Sequence, residues 1–347
     1  MRILITGGAG LVGSHCAEFF ALTNPKNKVI VLDNLMRSKI FGYDKASVEF
    51  NWDYLKKFKN VERIKGDVRN DKDVALAIGK GVDLLIHTAG QPGVPSSVRQ
   101  PLEDFSINAL GSLNVLEAAR KKSKDTVIIY CSTNKVYGEN VDKIPLVEKE
   151  KRYAYKDIVG VSEEMCTDLT GHTPYGVSKL AGDLYVQEYS HIYKMKTAVF
   201  RMSCTYGRRQ FGFEDQGWVA WFIIATLFNK PITIYGDGKQ VRDMLYVDDL
   251  VDAFNRFINS DLERALFNIG GGPDNTISLI EFLDELNLLI GKKPKVHFAP
   301  WRPSDQKVYI SDTLKLQRAL NWKIKVPVKD GIKKLTEWIR ANESYFQ

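Results

Sequence analysis

Cysteine and histidine are both scarce in this chain, four and five residues respectively among 347. The cysteines, Cys16, Cys131, Cys166 and Cys204, form no Cys-x-x-Cys pair, and their spacing suits no metal site. A disulfide framework and a metal centre are therefore not expected, and the thiols are expected to be reduced, in a cytoplasmic protein. Long apolar runs are missing too. The longest, from Trp218 to Phe228, falls well short of the ~20 residues that cross a bilayer, so no membrane association is expected. The first strand is expected to begin almost at Met1, so no leader peptide is expected in front of it. Internal repeats, low-complexity tracts and arginine-rich blocks are absent as well. Without such a block, the net charge of +7 does not point to nucleic acid. It suits a protein whose small ligands are all anionic.

Apolar residues make up 44% and charged residues 26% of the chain, an ordinary balance for a globular protein. At ~150 residues per domain the length predicts two domains. Apolar strand-like segments recur at Arg2–Thr6, Lys28–Leu32, Val61–Lys65, Leu84–His87, Val127–Cys131 and Thr197–Met202, with helical segments between them. Ser14–Leu22 is one such helix. Asn108–Lys122 is another, with Leu110, Leu113, Leu116 and Ala119 at helical spacing and a basic cluster at its C-terminal end. This alternation predicts an α/β fold, a doubly wound parallel sheet over residues 1–203 with a return segment at about 241–268. Residues 204–347 lose the alternation and predict a smaller mixed α/β domain that holds the substrate. The stretch between Gly138 and His172 reads as an insertion on the substrate side.

Gly7, Gly8, Gly10 and Gly13 lie between the first strand and first helix, and Gly8-x-Gly10-x-x-Gly13 satisfies the dinucleotide fingerprint of a Rossmann sheet. Glycine is needed there for a tight turn, for close approach of a pyrophosphate to the backbone, and for helix–strand packing. The helix start adds amide donors and a positive dipole for the phosphates. Asp33 follows the second strand, where a carboxylate accepts from the ribose hydroxyls and repels a 2′-phosphate, favouring NAD over NADP. Arg37 is close enough in sequence to soften that preference.

Tyr175-Gly-Val-Ser-Lys179 opens a further helix and puts tyrosine and lysine one turn apart on one face. A lysine ammonium and the positive nicotinamide of NAD both favour the phenolate. Such a tyrosine takes a hydroxyl proton as hydride leaves the same carbon. Thr133, just past the strand Val127–Cys131, is placed to hold the substrate oxygen in line. The alternative for this motif alone is a core tyrosine and a solvated lysine.

Together these motifs resemble the extended short-chain dehydrogenase/reductase family of nucleotide-sugar enzymes, and the likeness runs over nearly the whole chain. It is carried by Thr6–Gly13, Asp33-Asn34, Gly66-Asp67-Val68, His87–Gln91, Asn108, Ser132–Gly138, Tyr175–Lys179, Val241–Asp249 and Asn268–Gly271. The resemblance implies that Gly7, Gly10, Leu11, Val12, Gly13, Asp33, Asn34, Arg37, Asp67, Val68, Ala89, Gly90, Gln91 and Asn108 line the cofactor, with Tyr175 and Lys179. It implies Thr133, Tyr175 and Lys179 as the catalytic group, with Ser132 as second candidate for the Thr133 position. It also implies pairing through the helix carrying Tyr175 and the helix at 108–122, giving a homodimer or homotetramer.

More particular segments resemble those family members that epimerise C2 of a CDP-linked hexose: Ser132–Gly138, His172–Lys179, Arg209-Gln-Phe, Asp215–Trp221, Gly238–Asp243 and Arg302–Gln306. Asn134 and Lys135 stand where the dehydratase relatives carry an acidic pair, so no carboxylate is ready to expel water. Asn134 is expected to bond a sugar hydroxyl, or else to cap the strand end. Arg242, Arg302, Asp305 and Arg209 are the implied grip on the diphosphate and ribose, since guanidinium matches phosphate bidentately. Gln216, Trp218, Trp221 and Tyr235 are candidates for the base and sugar pocket, with core packing as the alternative for one of the tryptophans. Cys204 stands where some relatives have a polar residue. The expected partner is thus a CDP-sugar, with transient NAD-dependent oxidation at C2. The alternatives are a broader 2-epimerase of CDP- or GDP-hexoses, a 4-epimerase of another nucleotide sugar, or a non-catalytic NAD-binding sensor.

Overall fold

The computed structural model describes residues 1–41, 46–302 and 304–346. They form two compact units: Met1–Val136 with Thr173–Arg201 and Val251–Phe267, and Tyr137–His172 with Met202–Leu250 and Asn268–Gln347. This grouping differs from a division at residue 203 in two places. Residues 137–172 cluster with the second unit, and so do residues 241–250, ahead of the return segment.

The first unit is built on a sheet of seven strands. Its members are β1 (Arg2–Thr6), β2 (Lys28–Asp33), β3 (Val61–Lys65), β4 (Leu84–His87), β5 (Val127–Thr133), then Thr197–Met202 and Arg264–Ile269. Their order across the sheet is β3, β2, β1, β4, β5, Thr197–Met202, Arg264–Ile269. The pairs β1–β2, β1–β4, β2–β3 and β4–β5 are parallel. This is the doubly wound arrangement, in which the strand order reverses between β1 and β4, and ligands bind at the carboxyl ends of strands beside that reversal. Strands covered on both faces need no alternation, and the runs Ile3–Ile5, Val29–Leu32 and Leu84–Ile86 are buried throughout.

The helices of this unit are α1 (Leu11–Thr23), α2 (Arg37–Phe41), α3 (Ala46–Tyr54), α4 (Asp71–Ile78), α5 (Val94–Arg99), α6 (Pro101–Phe105), α7 (Gly111–Lys122) and α8 (Pro174–Tyr193). The expected helix from Asn108 starts differently. Residues Ser106–Leu110 form a π-helical turn, and the regular helix begins at Gly111. The wider turn brings the Asn108 side chain inward, where it bonds Gln91, Asp104 and Ser178. Such turns are frequent at functional sites. The expected strand Val127–Cys131 likewise continues to Thr133. Pro174 at the first position of α8 costs no backbone bond, and Thr173 caps the helix by accepting from the Gly176 amide at 3.3 Å.

The second unit has several small sheets. Val241–Tyr246 pairs with Thr276–Ser278, Val308–Tyr309 and Cys204–Tyr206. Pro231–Tyr235 pairs in parallel with Lys295–Ala299. Residues 138–172 contribute an antiparallel pair, Leu146–Glu148 with Tyr153–Tyr155. The helix Leu279–Ile290 opens on a full capping box made by Ser278 and Glu281.

Candidate active site

The turn between β1 and α1 leaves no room for side chains. A Cβ on Gly7, whose φ is +70°, would come within 2.6 Å of the Ala89 nitrogen, and one on Gly13 within 2.3 Å of the Gly7 carbonyl. Gly7 and Gly10 are joined by a backbone bond of 3.0 Å. Gly10 caps α1 without any side-chain bond, so the amides of Leu11, Val12 and Gly13 form a helix start of the kind that accepts phosphate. Asp33, at the end of β2, takes the Ala9 amide on one oxygen at 2.9 Å and the Leu35 amide on the other at 2.8 Å. Burial raises its pKa, against those two bonds. Arg37 feels burial too and is lowered to about 10, with the Asp33 charge opposing the shift.

Asn34 donates to Asp67 at 2.9 Å. Arg69 grips the same carboxylate with two bonds, of 2.9 and 2.7 Å. Burial would raise Asp67, but these partners outweigh it and hold the carboxyl at about 2. Val68 is buried against Gly111. Beyond β4, Ala89 donates to Thr6, Gly90 lies against Asn108, and the Gln91 amide donates to the Asn108 side chain at 2.9 Å.

Tyr175 and Lys179 share one face of α8. Thr133, at the end of β5, acts on the phenol and lowers its pKa. Lys179 is buried and donates to the Cys131 carbonyl at 2.6 Å, with its ammonium 4.2 Å from the centre of the Tyr130 ring. Burial raises the phenol of Tyr175, while Lys179 and Thr133 pull it back down. Burial also lowers the Lys179 ammonium, against the pull of Tyr175. The ammonium favours the phenolate as the spacing suggested, but in the protein alone burial is the larger effect. Asn134 accepts from Thr133 at 3.4 Å and begins a 3₁₀ stretch. Ser132 does not join this group. Successive side chains of a strand face opposite ways, and Ser132 donates instead to buried Asp183 at 2.7 Å, itself paired with Arg201 at 2.9 Å. Its hydroxyl is thus already bonded within the fold.

The remaining candidates lie in the second unit. The Arg302 guanidinium stacks 3.6 Å from the centre of the Tyr235 ring and sits 3.5 Å from Asp215. One face of Tyr235 is thus already covered. Asp305 closes a turn onto the Arg302 carbonyl at 3.2 Å. Arg242 extends from the strand Val241–Tyr246 and donates to the Val241 carbonyl at 2.8 Å. Arg209 is buried at a left-handed backbone position, φ +61°. Gln216 exchanges backbone bonds with Phe213, at 3.0 and 3.1 Å. Trp218 is half-buried and packs edge-on against Phe222 and Phe282, with ring centres 5.6 and 5.0 Å away. Trp221 differs, for its buried indole N–H has no acceptor among the described residues. Cys204 is pushed up to about 12 by burial, although Arg242 acts the other way, so it stays a neutral thiol.

A model of the NAD dependent epimerase/dehydratase family matches residues 3–270. The chain belongs to this family. It is 41% identical to CDP-paratose 2-epimerase of Salmonella typhi, over 97% of this chain and 99% of that protein. It is 32% identical to a putative UDP-glucose 4-epimerase of Methanocaldococcus jannaschii, over 98% and 99% of the two chains. Among solved structures, the UDP-glucuronic acid 4-epimerase of Bacillus cereus, in complex with UDP-glucuronic acid and NAD, superposes with a TM-score of 0.83 at 25% identity, covering 99% of this chain and all of that one.

The cofactor of the family is NAD, and the first unit fits it. The side-chain-free turn at Gly7–Gly13, the uncapped start of α1 and the carboxylate of Asp33 are the cradle that a dinucleotide requires. Polar residues that the motifs did not flag are bonded to the candidate residues. Arg69 holds Asp67, and Asp104 joins Gln91, Asn108 and Ser178. Their only sequence signal was charge inside otherwise apolar or turn-like stretches. Among the described residues no cluster of possible metal ligands occurs and no helix is long and apolar enough to cross a membrane.

Proposed function

We propose that this enzyme inverts C2 of a CDP-linked hexose of the CDP-paratose/CDP-tyvelose type, by transient oxidation to a 2-keto sugar and reduction on the other face. The observation that carries this reading is the 41% identity, end to end, to a CDP-paratose 2-epimerase. NAD, when bound, supplies a two-electron acceptor that returns its hydride within the turnover. Tyr175, as phenolate, takes the proton of the C2 hydroxyl. Lys179 stabilises that phenolate, and Thr133 holds the reacting oxygen. With C2 flat, rotation of the sugar about its phosphate linkage presents the second face, and Tyr175 gives the proton back. Arg242, Arg302 and Arg209 keep the diphosphate fixed while the sugar turns, and Trp221 offers its indole N–H to the nucleotide or sugar. Asn134 bonds a sugar hydroxyl. With no acid in the Asn134-Lys135 pair, the ketone is not carried on to water loss.

The test is a product assay on CDP-paratose, CDP-glucose and UDP-glucose, with deuterium at C2. The expected result is inversion at C2 of CDP-paratose, slower with deuterium, and the label kept in the product. Inversion of UDP-glucose at C4, or exchange of the label with solvent, overturns the proposal. A 4-epimerase remains the second reading because of the 32% identity to a putative UDP-glucose 4-epimerase.

A further inference from the structure

Asp104 belongs to none of the motifs, yet it is 1% exposed and its carboxylate is where three segments meet. One oxygen accepts from Gln91 Nε2 and from Asn108 Nδ2, both at 3.1 Å. The other accepts the Ser178 hydroxyl at 2.5 Å. Ser178 lies on the turn of α8 between Tyr175 and Lys179, and its oxygen accepts in turn from Asn108 at 3.1 Å. Gln91 follows β4, and Asn108 sits in the π-helical turn before α7. Burying a carboxylate is costly unless its oxygens are well bonded. An apolar residue at this place would pack as well and would join nothing.

We propose that Asp104 is a positioning residue of the reaction, holding the Tyr175–Lys179 turn in register with the Asn108 turn and the Gln91 loop. The proposal rests on the epimerase reading above and deepens it. Small displacements of a reacting group are enough to slow chemistry strongly, and here the base and the cofactor-side loops share one anchor.

The charge of Asp104 gives it a second effect. The groups that face Tyr175 and Lys179 are Tyr130 and Cys131 on β5, His87 on β4, Asp183 on α8 and Asp104 on α6. His87 is lowered to about 3, by burial and then by Lys179, and stays neutral. Burial pushes the Tyr130 phenol well up and Cys131 to about 12. Asp183 is paired with Arg201. The bonded partners of Asp104, by contrast, are an amide pair and a hydroxyl, all neutral. Burial raises the Asp104 carboxyl, while Ser178 and Lys179 oppose the rise. As an anion it raises both the Tyr175 phenol and the Lys179 ammonium.

The test uses the full chain and begins without any sugar. The Tyr175 phenol is titrated by phenolate absorbance, as the difference between each protein and its Tyr175→Phe counterpart. In Asp104→Asn, which keeps the shape and loses the charge, the Tyr175 midpoint is expected at lower pH than in the wild type. In Ser178→Ala, which cuts the tether and keeps the charge, kcat on the CDP-hexose is expected to fall about tenfold or more with KM changed far less. A Tyr175 midpoint that does not move in Asp104→Asn overturns the proposal, as does an unchanged kcat in Ser178→Ala. Should Asp104→Asn fail to fold, Ser178→Ala decides alone. Should the wild type turn over no CDP-hexose, the epimerase reading fails, and the titration still decides whether Asp104 acts on Tyr175.

Discussion

Lys179 donates to the carbonyl of Cys131 at 2.6 Å, so the lysine that faces Tyr175 also pins α8 to the strand that ends in Thr133. Two kinds of loss are expected when it is removed. Lys179→Met leaves a buried carbonyl unbonded, which costs about 1–3 kcal/mol of stability. It also removes the cation that opposes the effect of burial on Tyr175. A cation favours the phenolate, so without it the ionisation needs a higher pH. The rise of kcat/KM with pH therefore moves upward in Lys179→Met. Tyr175→Phe keeps the Cys131 bond, so activity falls by about 10²–10⁴ with little change in the urea midpoint. Rate–pH profiles and urea melts of both variants check this. A Lys179→Met profile at the wild-type position removes the electrostatic role assigned to the lysine.

Thr133 and its neighbour Ser132 point to opposite sides of β5 and should separate cleanly. Thr133→Val removes the hydroxyl that lowers the Tyr175 phenol, and kcat is expected to fall about tenfold to a hundredfold while the fold is kept. Ser132→Ala takes one bond from the buried pair of Asp183 and Arg201. It is expected to cost about 1 kcal/mol of stability and to leave kcat close to the wild-type value. A reversed pattern in kinetics and thermal melts shows Ser132 to be the hydroxyl that matters.

Asp33 is expected to favour NAD over NADP. Its oxygens already accept the amides of Ala9 and Leu35, which fixes the carboxylate and leaves lone pairs for ribose hydroxyls. A 2′-phosphate brought to that place meets a fixed negative charge. The wild type is expected to bind NAD at least tenfold more tightly than NADP, a difference of about 1.4 kcal/mol. Asp33→Ser exposes the NADP phosphate to Arg37 and should remove most of that preference. Calorimetric titration with both dinucleotides measures it, and equal binding by the wild type contradicts the assignment.

The parallel strands were legible because a strand covered on both faces is a run of apolar residues, as in Val29–Leu32. The glycine turn was legible because only glycine fits where Gly7 meets Ala89. Tyr175 and Lys179 were legible because helical spacing alone places them together. The start of the helix at Asn108 was not, since a π-helical turn leaves no mark in apolar periodicity. Nor were the partners of Asp104 or the commitment of Ser132, for these bonds join residues 74 and 51 positions apart. No local pattern records such pairs. The tryptophans were ambiguous for a different reason: Trp218 and Trp221 share one apolar helix, and only packing tells core from site.

The outward face of α6 and α8 bears on the assembly. Leu102 is 84% exposed, Phe105 55%, Val177 55% and Leu184 51%. Leu102 and Phe105 are three residues apart, and Val177 and Leu184 seven, so each pair lies along one side of its helix. Large exposed apolar side chains on helices that pack against each other, as α6 and α8 do, are candidates for burial against a second chain. A second copy covers them most simply, because a two-fold axis lets one face meet itself. We propose a homodimer, or a tetramer built on it, paired through α8 and its neighbours. Light scattering after gel filtration is expected to give at least twice the chain mass at micromolar concentration. Leu184→Glu places a charge on that face and should shift the population to the monomer. Because Leu184 lies nine residues beyond Tyr175 on the same helix, kcat is expected to fall with the dimer and recover at high protein concentration. A wild type that runs as a single chain at every concentration disproves the pairing, and a Leu184→Glu dimer moves it to another face.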